Sequence, residues 1–182
     1  MKEALKKTEE RKNAFFPTYS VRSVYNLDFE RLYEEGYRAL FFDIDNTLVY
    51  HDEPALPETV ELFVRLKKIG FKTAILSNNG KERVKRFAEA IGADYYQEKA
   101  GKPGVKAYLN AVREFSLQKE SCLFFGDQIF TDILGGNRAG VPTVLVYPMG
   151  KEKYFHIVLK RILEKPFLYF YSRKHTLWRN EP

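Results

Sequence analysis

The chain has 182 residues, a length that suits one domain of ordinary size, and its apolar fraction of 45% is enough for a full core. A single cysteine, Cys122, excludes an internal disulfide framework and fits a reducing compartment. The formal net charge is +6, yet residues 151–182 hold eight Lys/Arg against three Glu, so the rest of the chain is close to neutral.

Residues 1–12 are charged and contain no apolar signal core, and no window reaches the ~18 apolar residues of a spanning helix. The reading is a soluble, cytoplasmic protein without repeats or low-complexity segments. Ala39–Ile44 is a continuous apolar run, hence a buried strand. Glu58–Ile69 carries Val60, Leu62, Phe63, Leu66 and Ile69 at helical spacing and stops at Gly70. Lys72–Leu76 reads as a strand. Lys81–Ile91 reads as a helix with Val84, Phe87, Ala88 and Ile91 inward and Gly92 as its stop. Asp94–Tyr96 is a short strand, and Val105–Phe115 is a helix with Pro103 near its start. Cys122–Phe125 is a fourth strand, with Cys122 as a small buried hydrophobe. Asp132–Ala139 is a short helix and Thr143–Val146 a fifth strand. Strands alternating with helices predict an α/β fold: three Rossmann-like layers around a parallel sheet of about five strands.

In such folds the reactive groups gather at the carboxyl ends of the strands. Asp43 and Asp45 stand there, spaced i, i+2 after an apolar strand. Two anions emerging together from a buried strand resist losing water, and a divalent cation with hard oxygen ligands, Mg²⁺, is the usual remedy. Ser77 with Asn78-Asn79-Gly80 ends the second strand. Gly126-Asp127 ends the fourth, with Asp132 five residues on, and Lys102 lies in the loop before the third helix. Taken singly, each has a bland reading. Ser77 is a turn residue, Asp132 an N-cap, and Lys99 or Lys106 rivals Lys102. His51 reads as an exposed loop residue and stays outside the predicted site.

Four motifs occur in order: Asp43-Ile44-Asp45-Asn46-Thr47, Ser77 after a strand, Lys102 in Gly-Lys-Pro, and Gly126-Asp127 through Thr131-Asp132. Together they resemble the haloacid dehalogenase (HAD) superfamily of phosphohydrolases. The fuller pattern, including Ser-Asn-Asn and the run from Gly126 to Gly140, looks like the YqeG-type branch of HAD subfamily IIIA. That branch is related to mitochondrial and cyanobacterial phosphatidylglycerophosphate phosphatases. The resemblance covers about Phe16 to Pro148, including the segment 17–37 that ordinary members lack. One departure stands out: the phosphatidylglycerophosphate enzymes tend to carry Lys between the two aspartates, where this chain has Ile44.

The resemblance implies one HAD-like hydrolase domain over residues 1–182, with a flexible or helical extension at 1–14 and a basic aromatic tail at 151–182. It implies an Asp43 nucleophile forming an aspartyl-phosphate, and Asp45 as general acid and then base. Asp45 would also reach the metal through its backbone carbonyl. Asp43 and Asp127 would ligate Mg²⁺, and Asp132 would bind it directly or sit just outside. Lys102 would supply positive charge near Asp43, Ser77 would bind the transferring phosphoryl group, Thr47 would support Asp43 or the phosphate, and Asn78 would orient substrate.

Many HAD phosphatases carry an inserted cap domain. Here about ten residues separate Thr47 from the next helix, and the 25 from Ser77 to Lys102 are used by one helix and one strand. The prediction is therefore a capless (C0) enzyme with an open site suited to a bulky phosphorylated substrate. The tail places Phe155, Val158, Leu159 and Ile162 at helical spacing among lysines and arginines, then Phe-Leu-Tyr-Phe-Tyr after Pro166. Three readings stand open. The helix packs on the sheet, or it lies peripherally on an anionic membrane, or it binds nucleic acid by phosphate contacts and stacking. The first enzyme reading is a phosphomonoesterase, with phosphatidylglycerophosphate as the specific substrate. Its rivals are an RNA- or ribosome-associated binding protein on the same scaffold, and a phosphatase of a protein, a nucleic-acid end or a small metabolite. The oligomeric state is not legible.

Overall fold

The computed structural model describes residues 13–150 and 155–178. Most of the predicted 1–14 extension, and residues 151–154 and 179–182 of the tail, lie outside them. Among the described residues the strands are β1 (Tyr19–Val21), β2 (Ala39–Phe42), β3 (Lys72–Leu76), β4 (Tyr95–Gln97), β5 (Cys122–Gly126) and β6 (Thr143–Val146). They form one sheet in the order β1-β6-β5-β2-β3-β4, and every pairing is parallel. The helices are α1 (Phe29–Glu34), α2 (Pro57–Ile69), α3 (Lys81–Ile91), α4 (Lys106–Glu114), α5 (Leu134–Ala139) and α6 (Phe155–Ser172).

The period-two geometry of strands sorts the apolar residues onto two faces. Leu40 and Phe42 of β2 join Ile75, Phe125, Val144 and Val146 under α1, α2 and α3, which contribute Phe29, Leu32, Leu62, Phe63, Leu66, Val84 and Phe87. Phe42 and Phe125 stack with ring centroids 4.9 Å apart. Ala39 and Phe41 face the other way, with Ala74, Leu76 and Phe124, under Tyr108 and Ala111 of α4 and Ala139 of α5. Each large apolar side chain buried this way contributes roughly 1.5–3 kcal/mol. The three expected layers are present. Cys122 is fully buried, and burial pushes its thiol up to about 12, which suits a small hydrophobe and not a nucleophile. Gly70 and Gly92 end α2 and α3 in the left-handed conformation, as their positions predict.

The sheet has six strands, not about five. The addition is β1, which pairs Tyr19, Ser20 and Val21 with Val144, Leu145 and Val146. Three residues are too few to show a period, so sequence pattern passes over this edge strand. A second difference lies in the predicted helix from Asp132. Ile129–Ile133 forms a π-helical turn, and the α-helical part begins only at Leu134.

No cap is inserted. Nine residues join Thr47 to α2, and α3 and β4 account for the stretch between Ser77 and Lys102. Among the described residues no helix is long and apolar enough to cross a membrane.

Candidate active site

β2 is central in the sheet, and its ladder continues one residue past its end: Asp43 N–H donates to Phe125 O at 2.9 Å. The backbone then turns sharply. Ile44 O accepts from Leu48 N–H at 2.9 Å, and Asn46 takes φ of +57°, which asparagine tolerates better than most residues. Asn46 ties this loop to the segment after β6, since Gly150 N–H donates to its side-chain oxygen at 3.2 Å.

The carboxylates of Asp43, Asp127 and Asp132 converge, each offering a ligand atom within 4.8 Å of the others, and all three residues are buried. Lys102 reaches between two of them, with Nζ 2.9 Å from Asp43 Oδ1 and 2.7 Å from Asp132 Oδ1. Burial presses the Lys102 ammonium down, but Asp132 and Asp43 overcome it and hold it well above the ordinary lysine range. Burial pushes the Asp43 carboxyl up to about 6, against the pull of Lys102 and with a smaller contribution from Asp132. Lys102, not its neighbours Lys99 or Lys106, is the residue at the centre.

Asp132 is not the N-cap of α5. Its Oδ2 accepts from Gln128 N–H at 3.0 Å, inside the π turn, which aims the carboxylate back toward β5. Gly126 makes room for it: a Cβ there would meet Asp132 Cγ at 2.5 Å. Ser77 follows β3 and is buried at the cleft. Its backbone oxygen accepts from Ala100 N–H at 2.9 Å, drawing the Lys102 loop across. Asn78 holds Lys102 from both sides, accepting from its N–H at 2.9 Å and donating to its carbonyl at 3.2 Å. Thr47 is buried, and its hydroxyl has no hydrogen-bond partner among the described residues; Asn46, not Thr47, lines the cleft.

The Asp45 carboxylate stands apart from the acidic trio. Its Oδ1 accepts from Asp52 N–H at 3.0 Å and from Arg83, and its Oδ2 accepts from the Asn79 amide. Burial would raise its pKa, but these three donors outweigh burial and hold the carboxyl below the usual range. Arg83 and Asn79 escaped the sequence reading. Asn79 adjoins the Ser77-Asn78 pair, a signal that was available, whereas Arg83 lies on a helix with no local mark of function. His51 is also closer than expected. Its Nδ1 is 4.0 Å from Asp45 Oδ1, and its side chain is largely covered at the cleft, contrary to its reading as an exposed loop residue.

The tail supplies the remaining wall. Ile157 and Lys160 of α6 line the cleft, which encloses about 320 Å³. Arg161 donates to the backbone oxygen and the Oδ2 of Asp127, and also contacts Glu164 Oε2 at 3.2 Å. Glu164 is buried and accepts from Ile129 N–H at 2.7 Å and Phe130 N–H at 3.4 Å. Burial raises its pKa despite Arg161 beside it. Four buried carboxylates, Asp43, Asp127, Asp132 and Glu164, thus face two cationic side chains, Lys102 and Arg161. Clustered hard oxygen donors with a surplus of negative charge fit a divalent cation.

Residues 49–140 match the family of haloacid dehalogenase-like hydrolases. A Bacillus subtilis (strain 168) protein named Probable phosphatase YqeG is 40% identical over 169 residues, spanning 92% of this chain and 98% of that one. The chain belongs to the haloacid dehalogenase-like hydrolases. The YqeG resemblance read from the motifs is borne out, and the enzyme is a HAD-type phosphatase. Phosphatidylglycerophosphate phosphatase 1 of Arabidopsis thaliana is 30% identical, over 87% of this chain and 48% of that longer protein. The cobalt-bound deoxy-D-mannose-octulosonate 8-phosphate phosphatase of Haemophilus influenzae shares the fold, with a TM-score of 0.51, 14% identity, and coverage of 62% of this chain and 69% of that one.

Proposed function

We propose that this HAD-type phosphatase hydrolyses phosphomonoesters through an aspartyl-phosphate on Asp43, with Mg²⁺ held by Asp43, Asp127, Asp132 and the backbone carbonyl of Asp45. The observation that carries the reading is the convergence of three buried carboxylates around Lys102. A bound cation would offset the repulsion between the anionic nucleophile and the anionic phosphate. A carboxylate oxygen of Asp43 attacks phosphorus, and the bond from phosphorus to the ester oxygen breaks. Asp45 gives its proton to the leaving oxygen. Water then attacks the aspartyl-phosphate, returns a proton to Asp45, and releases phosphate with Asp43 restored. Lys102 and Ser77 stabilise the charge on the transferring group.

Arg83, Asn79 and Asp52 favour ionised Asp45 in the free enzyme. That form suits the water-activating half of the cycle. The first half needs Asp45 protonated, so substrate must weaken those contacts or bring the proton with it.

The proposed substrate is phosphatidylglycerophosphate, presented at an anionic bilayer. The Arabidopsis relative's name, the capless site, and the first half of α6 support it. That half exposes Phe155, Val158, Leu159, Ile162 and Leu163, with Lys165 exposed on the same helix. Purified protein should release phosphate from this lipid with Mg²⁺, and Asp43→Asn should abolish release while leaving the fold intact. Release from a soluble monoester but not from the lipid would remove the lipid substrate. Full activity in Asp43→Asn would remove the mechanism.

A further inference from the structure

We propose that Arg161 of the C-terminal helix is a positioning residue for the cation site, holding Asp127 in its ligating orientation. The proposal deepens the metal reading above and rests on it.

The first half of α6 has its amphipathicity reversed. Its apolar residues Phe155, Leu159 and Ile162 face outward, while Ile157 and Lys160 line the cleft and Arg161 and Glu164 point at the catalytic loop. A helix that leaves its apolar stripe in water must be held by something else. The holding contacts are ionic and lie at the site. Glu164 accepts from Ile129 and Phe130 N–H, the start of the turn that carries Asp132. Its other oxygen contacts Arg161, which forks onto the Asp127 carbonyl and Oδ2.

A guanidinium anchored at two points of one residue restricts that residue's rotamers. A carboxylate has two oxygens, and a cation can take one while Arg161 keeps Oδ2. Partners placed behind metal ligands in this way usually matter for metal affinity by 10–100-fold. The chain thus recruits a segment far from the four motifs to set a ligand. No motif records the link, because a helix reaches Asp127 only after the sheet has closed.

Calorimetric Mg²⁺ binding on the intact protein tests the inference without measuring turnover. Arg161→Ala should weaken binding by about 10–100-fold, and Arg161→Lys should recover part of the loss, since lysine keeps the charge but not the fork. Leu168→Ala, which loosens the packing of α6 without touching Asp127, should lower the melting temperature and leave affinity unchanged. Unchanged or tighter Mg²⁺ binding in Arg161→Ala overturns the inference and leaves the metal reading standing. An equal loss in Leu168→Ala overturns it in favour of helix docking alone. Wild-type protein that binds no divalent cation removes the metal reading and the inference with it.

Discussion

At the scale of single residues, the site is built from groups whose company decides their chemistry. Lys102 stays charged in a buried position because two carboxylates touch it, and Asn78 fixes its backbone from both sides. Gly126 shows the same dependence by what it lacks. The Asp132 carboxyl passes so close that an added methyl would overlap it, and Asp132 is itself pinned by Lys102 and Gln128 N–H. Gly126→Ala should therefore displace Asp132 and cut activity on the order of 10–100-fold, with Mg²⁺ affinity falling in parallel. Activity assays and calorimetry on the variant check this. The four motifs were legible because their spacings are fixed by strand ends. Arg83, His51 and Arg161 were not, because nothing in their local sequence separates a site residue from a surface one.

At the scale of elements, the segment before the central strand acts as a brace. Tyr25 donates to Leu48 O, in the loop that follows Asp43 and Asp45, and lies 2.8 Å from the Thr59 hydroxyl in the first turn of α2. Tyr25→Phe removes both contacts and leaves the Leu48 oxygen short of a donor, a loss of roughly 1–3 kcal/mol. The melting temperature should drop by about 2–4 °C per kcal/mol, which thermal unfolding would read directly. The tail helix departs furthest from its sequence pattern. The helical spacing legible in the sequence covers Phe155 to Ile162, ahead of Pro166, yet α6 runs from Phe155 to Ser172 with Pro166 inside. An interior proline costs a helix ~3 kcal/mol or more. Phe167 and Leu168 pack against Ile129, Ile133 and Leu145, and Glu164 bonds the loop two residues before the proline, so tertiary contacts offset that cost. The packed-helix reading of the tail holds for Phe167, Leu168 and Tyr171, whereas Tyr169 and Phe170 stay exposed along with the apolar residues of the first half.

At the scale of the whole molecule, a parallel sheet brings residues from five separate stretches to one edge, and the main cost of doing so is electrostatic. Asp43, Asp127 and Asp132 are buried together, and burial already presses Asp43 toward its neutral form. A cation binding only the folded state stabilises it by mass action. Saturating Mg²⁺, at about 100 times its dissociation constant, should add roughly 2.7 kcal/mol of stability, and chelation should reverse it. Thermal unfolding with Mg²⁺ and with EDTA checks this, and an identical melting temperature in both would count against the site.

The alternation of apolar runs and the helix stops were enough to read a parallel α/β fold, and the resemblance of the four motifs to the HAD superfamily added a hydrolase of that type without a cap. Those features are local, and strand periodicity, turn chemistry and buried charge each leave a mark within a few residues. The edge strand β1, the partial covering of His51, the Arg83 contact to Asp45 and the docking of α6 on Asp127 came only with the tertiary structure. Except for His51, each is a pairing between segments distant along the chain, up to 125 residues apart at the first strand. Such pairings depend on which surfaces remain open after the core has packed, and no short stretch of sequence encodes that.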